Sequence, residues 1–105
     1  MRWLETIKVQ SATGKEETTE NELTILVREV RKNTDRQGLR EAIVSSHASV
    51  PGYFAIRLFW DTDCPQIRGS LLGLSLAQSL KVFGLVDHSV WTEGSKMKGG
   101  KENVQ

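Results

Sequence analysis

His47 and His88 are the two histidines of this chain, and their ordinary titration range makes them the first places to look for a general base or a metal ligand. His88 lies in "LVDHSVWTE", alternating with Val86 and Val90, and must face the side that they face. A buried, hydrogen-bonded ring or a subunit contact is its plain reading, and proton transfer is its chemical one. His47 ends the run "LREAIVSSH" beside a turn, a position that reads as exposed. Trp60 and Trp91 each lie near the end of an apolar run. Indoles so placed either pack a core with their N–H groups bonded or line a cleft for a flat ligand. Arg57 interrupts an otherwise apolar stretch. It is expected to pair with Glu5 or Glu41 where faces align, because an isolated buried ion is costly; its functional alternative is a clamp on a ligand carboxylate.

Other chemistry is thinly represented. Cys64 sits in "DTDCPQ", where Asp61 and Asp63 discourage a thiolate, so it reads as a passive loop thiol. One cysteine excludes an internal disulfide and, with two histidines, argues against structural zinc; no metal and no cofactor are expected. Phosphate-cradling glycine loops, a nucleophile elbow and the paired-histidine zinc helix are all missing from the sequence. A net charge of +1 favours neither nucleic acid nor an anionic membrane as an obligatory partner. The start "MRWLETIKVQ" has no apolar signal region, and no apolar run is long enough to span a bilayer. These features suit a cytoplasmic protein. At 105 residues, with 38% hydrophobic and 26% charged, one ordinary domain is expected.

Six elements must position these residues. The first strand is expected over Arg2–Ser11, with Trp3, Ile7 and Val9 on one face, Glu5 intruding among them, and Leu4, Thr6 and Lys8 opposite. "TENE", residues 19–22, has capping-box spacing. Beyond it Leu23, Leu26, Val27 and Val30 recur at helical spacing, with Arg31 and Lys32 at the favourable end. A second strand is predicted over residues 39–47. "PGYFAIRLFWDTD", residues 51–63, contains the third. A second helix starts at or near Ser70, carries Leu72, Leu76, Leu80 and Phe83 on a stripe widened by Leu71 and Leu74, and ends at Gly84. The fourth strand covers residues 85–93. Residues 1–93 form the domain, and 94–105, glycine-bearing and aperiodic, read as a disordered tail.

The order β-α-β-β-α-β predicts an α+β, ferredoxin-like fold: a four-stranded antiparallel sheet with two helices on one face. The third strand is nevertheless apolar on both sides, with Phe54, Ile56, Leu58 and Trp60 one way and Tyr53, Ala55, Arg57 and Phe59 the other. Two helices cover one face only. A large apolar patch on the other predicts an interaction surface, and a second copy across a twofold axis is the simplest cover. A homodimer through the open sheet face follows as an expectation.

The third-strand segment, the leucine-rich helix after it and the closing "VDHSVWTE" resemble the dimeric α+β barrel superfamily. The antibiotic-biosynthesis-monooxygenase-like branch is the most similar, since its third strand ends in a Trp-acidic pair like "LFWDTD". The resemblance implies a dimer and, at the position of Trp60, a tryptophan that can line a cleft between sheet and helices. Cofactor-free oxygenases of aromatic polyketides and haem-degrading enzymes both occur in that superfamily. The haem degraders use a histidine on the second helix as iron ligand; residues 70–83 contain none, which argues against haem. Three functional readings follow. One is a cofactor-independent monooxygenase-like enzyme that binds a hydrophobic or aromatic small molecule. The others are a ligand-sensing module and a structural homodimer. For the first, His88, His47 and Trp60 are the catalytic candidates, and Trp60, Trp91 and Arg57 the ligand-binding ones.

Overall fold

Alternating side chains build the sheet and a repeat near four builds the helices. In the computed structural model, which describes residues 1–32 and 38–93, the order is β1 (Arg2–Ser11), α1 (Glu16–Lys32), β2 (Leu39–Ser46), β3 (Tyr53–Asp61), α2 (Leu71–Leu80) and β4 (Gly84–Thr92). The four strands form one antiparallel sheet in the order β2-β3-β1-β4. This is the ferredoxin-like arrangement expected from the element order. The proposed tail, residues 94–105, lies outside the described residues.

Both central strands send one set of side chains into the core: Trp3, Ile7 and Val9 from β1, with Phe54, Ile56, Leu58 and Trp60 from β3. α1 packs on β2 and β3 through Leu23, Val27 and Val30, while α2 packs on β1 and β4 through Leu76, Ala77 and Leu80. The opposite face carries Leu4, Tyr53, Phe59, Leu85 and Trp91. Leu85 is 79% exposed and Trp91 62%. No helix among the described residues is long and apolar enough to cross a membrane.

Three local expectations are corrected. α1 begins at Glu16, one turn before "TENE", so Thr19 is not its cap. Thr19 is fully buried, and its hydroxyl donates to the Lys15 carbonyl at 2.7 Å. Glu16 and Glu17 suit a helix start, where the dipole favours anions, and Glu16 Oε1 accepts the N–H of Gly14. On α2, Leu71 and Leu74 point outward, 89% and 45% exposed, and the contact face is Gly73, Leu76, Ala77 and Leu80. Small residues there let the helix lie close to β1. Gly84 does not end α2, which stops at Leu80; it opens β4, where a Cβ would collide with the Gln10 carbonyl oxygen.

Candidate functional site

Glu5 has the parity of Trp3 and Ile7 on β1, so the strand turns a carboxylate into the apolar side of the sheet. Leu58 of β3 and Val90 of β4 flank it in register, and it is fully buried. A buried carboxylate without donors would cost several kcal/mol. Four donors meet it. Oε1 accepts the indole N–H of Trp60 at 3.0 Å and the hydroxyl of Ser70 at 2.7 Å. Oε2 accepts the backbone N–H of Ser70 at 2.9 Å and lies 2.7 Å from His88 Nε2. With an ionised carboxylate, which only accepts, this contact requires the ring proton of His88 on Nε2.

The N-terminus of α2 makes room for this charge. Ser70 is its cap: the side-chain oxygen accepts the N–H of Gly73 at 2.9 Å while its hydroxyl hydrogen goes to Glu5. α2 has no acidic residue in its first turn, so Glu5 supplies from the sheet the negative charge that a helix start favours. Two glycines stand directly over the carboxylate. A Cβ on Gly73 would overlap the Glu5 carboxyl group, and one on Gly69, whose φ is +104°, would strike His88 and Glu5.

Beside this cluster runs a solvent-open groove of about 590 Å³, lined by Trp3, Trp60, Thr62, Gln66, Ser70 and Leu72. Trp3 and Trp60 are direct partners across β1 and β3, and their rings stack with centroids 5.4 Å apart and planes at 14°. The Trp3 N–H donates to Thr62 Oγ1 at 2.8 Å, and Thr62 in turn donates to the Cys64 carbonyl. The groove therefore pairs an aromatic wall with hydroxyl and amide groups. Ser70 belongs both to its lining and to the Glu5 cluster.

The candidates drawn from sequence separate into two groups. Trp60 lines the groove, and His88 reaches the same Glu5 from β4 without lining the groove. Trp91 does not join them: three residues beyond His88 in a strand, it projects from the opposite face and donates to Ser89 Oγ. Arg57 also projects from the opposite face, so the expected pairing with Glu5 does not occur. The guanidinium donates instead to Ser45 Oγ at 3.3 Å. His47 lies beyond the end of β2, its Nδ1 accepting the N–H groups of Ser49 and Val50 and its ring stacked on Tyr53. Cys64 is exposed. Among the described residues no three His, Cys, Asp or Glu side chains converge as a metal site. Sequence reasoning saw Glu5 as an intruder and Ser70 as a helix start without joining them. Their signal was parity for the first and capping chemistry for the second.

No family model matches the chain, and no curated protein sequence does. Solved structures do. A protein from Nitrosomonas europaea provisionally named an antibiotic biosynthesis monooxygenase aligns over 90% of this chain and 91% of its own, with TM-score 0.64 and 9% identity. SnoaB from Streptomyces nogalater, a cofactor-independent oxygenase, aligns over 88% and 92%, with TM-score 0.61 and 14% identity. A conserved protein from Methanosarcina mazei aligns over 90% and 94%, with TM-score 0.67 and 15% identity. At these identities the shared property is the backbone: the chain has the ferredoxin-like α+β fold of the antibiotic-biosynthesis-monooxygenase-like proteins.

Proposed function

We propose that this protein binds a flat, largely apolar molecule in the groove beside Trp3 and Trp60 and oxidises it with molecular oxygen, without a cofactor. One observation carries the reading: the groove lined by the stacked indoles is also lined by Ser70, whose hydroxyl is hydrogen-bonded to the buried Glu5–His88 pair. Its volume, about 590 Å³, falls in the range of small-molecule sites. A substrate with an acidic methylene next to aromatic rings loses a proton through Ser70 to Glu5 and becomes a carbanion. The carbanion passes an electron to oxygen, and the radical pair combines at carbon to give a peroxide. The peroxide takes up a proton and loses water, so that CH₂ and O₂ become C=O and H₂O. The cofactor-independent activity of a protein with the same fold accords with this reading.

We also propose a homodimer through the open sheet face. Leu85, Trp91 and Phe59 give that face apolar surface which a second copy would cover. A cytoplasmic location accords with an exposed, unpaired thiol at Cys64.

Anthrone, a tricyclic ketone with an acidic methylene, is the test substrate. Oxygen uptake should rise on adding protein and match anthrone consumed, and Leu72→Trp, which fills the groove, should abolish it. Uptake no faster than the uncatalysed rate, with no change in tryptophan emission on anthrone addition, refutes the oxygenase. Light scattering should give twice the chain mass, and Phe59→Asp should give the chain mass alone.

A further inference from the structure

On the open face of the sheet, Ala55 stands among longer side chains. Tyr53 and Arg57 flank it along β3, with Lys8 of β1 and Ser45 of β2 directly across from it. A methyl group in that company leaves a hollow of about 170 Å³, which His47 also lines. This site is separate from the groove, which lies against the other side of the same sheet.

The side-chain polar groups around the hollow are suited to donating. Lys8 and Arg57 are cations, and among the described residues the Arg57 guanidinium donates to Ser45 Oγ alone, at 3.3 Å. The His47 ring is set by its own loop: Nδ1 accepts the N–H of Ser49 at 3.1 Å and of Val50 at 3.0 Å, which leaves the ring proton on Nε2 as a donor. Its stacking on Tyr53, centroids 5.5 Å apart and planes at 9°, presents a flat aromatic edge to the same space. Among the described residues no carboxylate lines the hollow. Asp87 stands opposite Lys8 and Glu41 opposite Phe59, yet neither forms an ion pair with Lys8 or Arg57 among the described residues.

We propose that this hollow binds a small aromatic carboxylate. The guanidinium of Arg57 matches the planar carboxylate with two parallel N–H groups, Lys8 adds a second positive charge, and the flat body of the ligand lies against Tyr53 and His47. A molecule the size of benzoate suits the space. The face is the one a second copy would cover, so the ligand would lie between subunits, and a partner's acidic side chain could present the same chemistry. Carboxylate binding there is independent of oxygenase activity.

The probe is sodium benzoate, followed through the side-chain resonances of His47 and Arg57. The expected result is a saturable shift, with affinity reduced about tenfold by Arg57→Gln, which removes the charged donor. Ala55→Val fills the floor while leaving every charge in place, and should weaken binding as well. Absence of a saturable shift, or equal affinity in Arg57→Gln, overturns the proposal. So does inorganic phosphate binding as tightly as benzoate, because phosphate has no flat body to stack. Sizing in the same titration distinguishes the sources of the carboxylate. Benzoate that leaves the assembly unchanged occupies a free small-molecule site, whereas benzoate that splits a dimer has displaced a partner's carboxylate. Failure of the oxygen-uptake assay leaves each of these outcomes unaffected.

Discussion

The two faces of this sheet treat charge in opposite ways. Beneath α2, Glu5 is fully buried and each of its oxygens has two donors. On the other face Arg57, half-buried, has one long hydrogen bond among the described residues, to Ser45. The difference follows from solvent. Where water is excluded, a charge must be satisfied by the protein itself, because leaving it unpaired costs more than a domain can spare. Where water reaches, partial satisfaction is tolerated, and the vacant hydrogen-bonding capacity remains open to a ligand. One face meets its charge from within the protein, and the other leaves its charge open to an outside partner.

That contrast can be broken by substitution. Glu5→Ala should have the largest effect, about 3 kcal/mol or more of lost stability in urea unfolding, since it strands four donors in the core. Should the variant fail to fold, Glu5→Gln gives a milder reading, because its amide keeps the shape but places N–H groups against donors. A loss below about 1 kcal/mol in Glu5→Ala would mean that the cluster is not the anchor of α2. Gly73→Ala comes next, at about 2–3 kcal/mol, as the added methyl must push α2 off the carboxylate. Unchanged thermal stability in that variant would show that the helix has slack. On the other face, Arg57→Gln should cost the folded subunit no more than about 0.5 kcal/mol. A larger loss there would make Arg57 a structural residue and erase the distinction between the faces.

Much of this was readable in the sequence, for identifiable reasons. Parity along β1 put Glu5 with Trp3 and Ile7, and helical spacing put Leu23, Val27 and Val30 on one side of α1. Parity also separates Trp91 from His88, three residues apart, and sets the two candidates on opposite faces. The partners of Glu5 were a different matter. Its distance in sequence from Trp60, Ser70 and His88 is 55, 65 and 83 residues, and only the strand order and register bring them together. The same holds for Arg57, whose face relative to Glu5 follows from the β1–β3 register rather than from either strand alone. The leucines of α2 misled because burial there depends on close approach: Gly73 and Ala77 touch the sheet, while Leu71 and Leu74 face away.

Four elements meet at one side chain, and the chain positions involved run from 5 to 88. During synthesis Glu5 emerges before Trp60, Ser70 and His88, and its carboxylate lacks these donors until they follow. The polar cluster therefore cannot nucleate folding, because its loop-closure entropy is spent before any of its bonds is gained. It closes late, as a lock on a sheet and helices already assembled, and a nascent chain halted before β4 would hold that carboxylate with one of its donors missing.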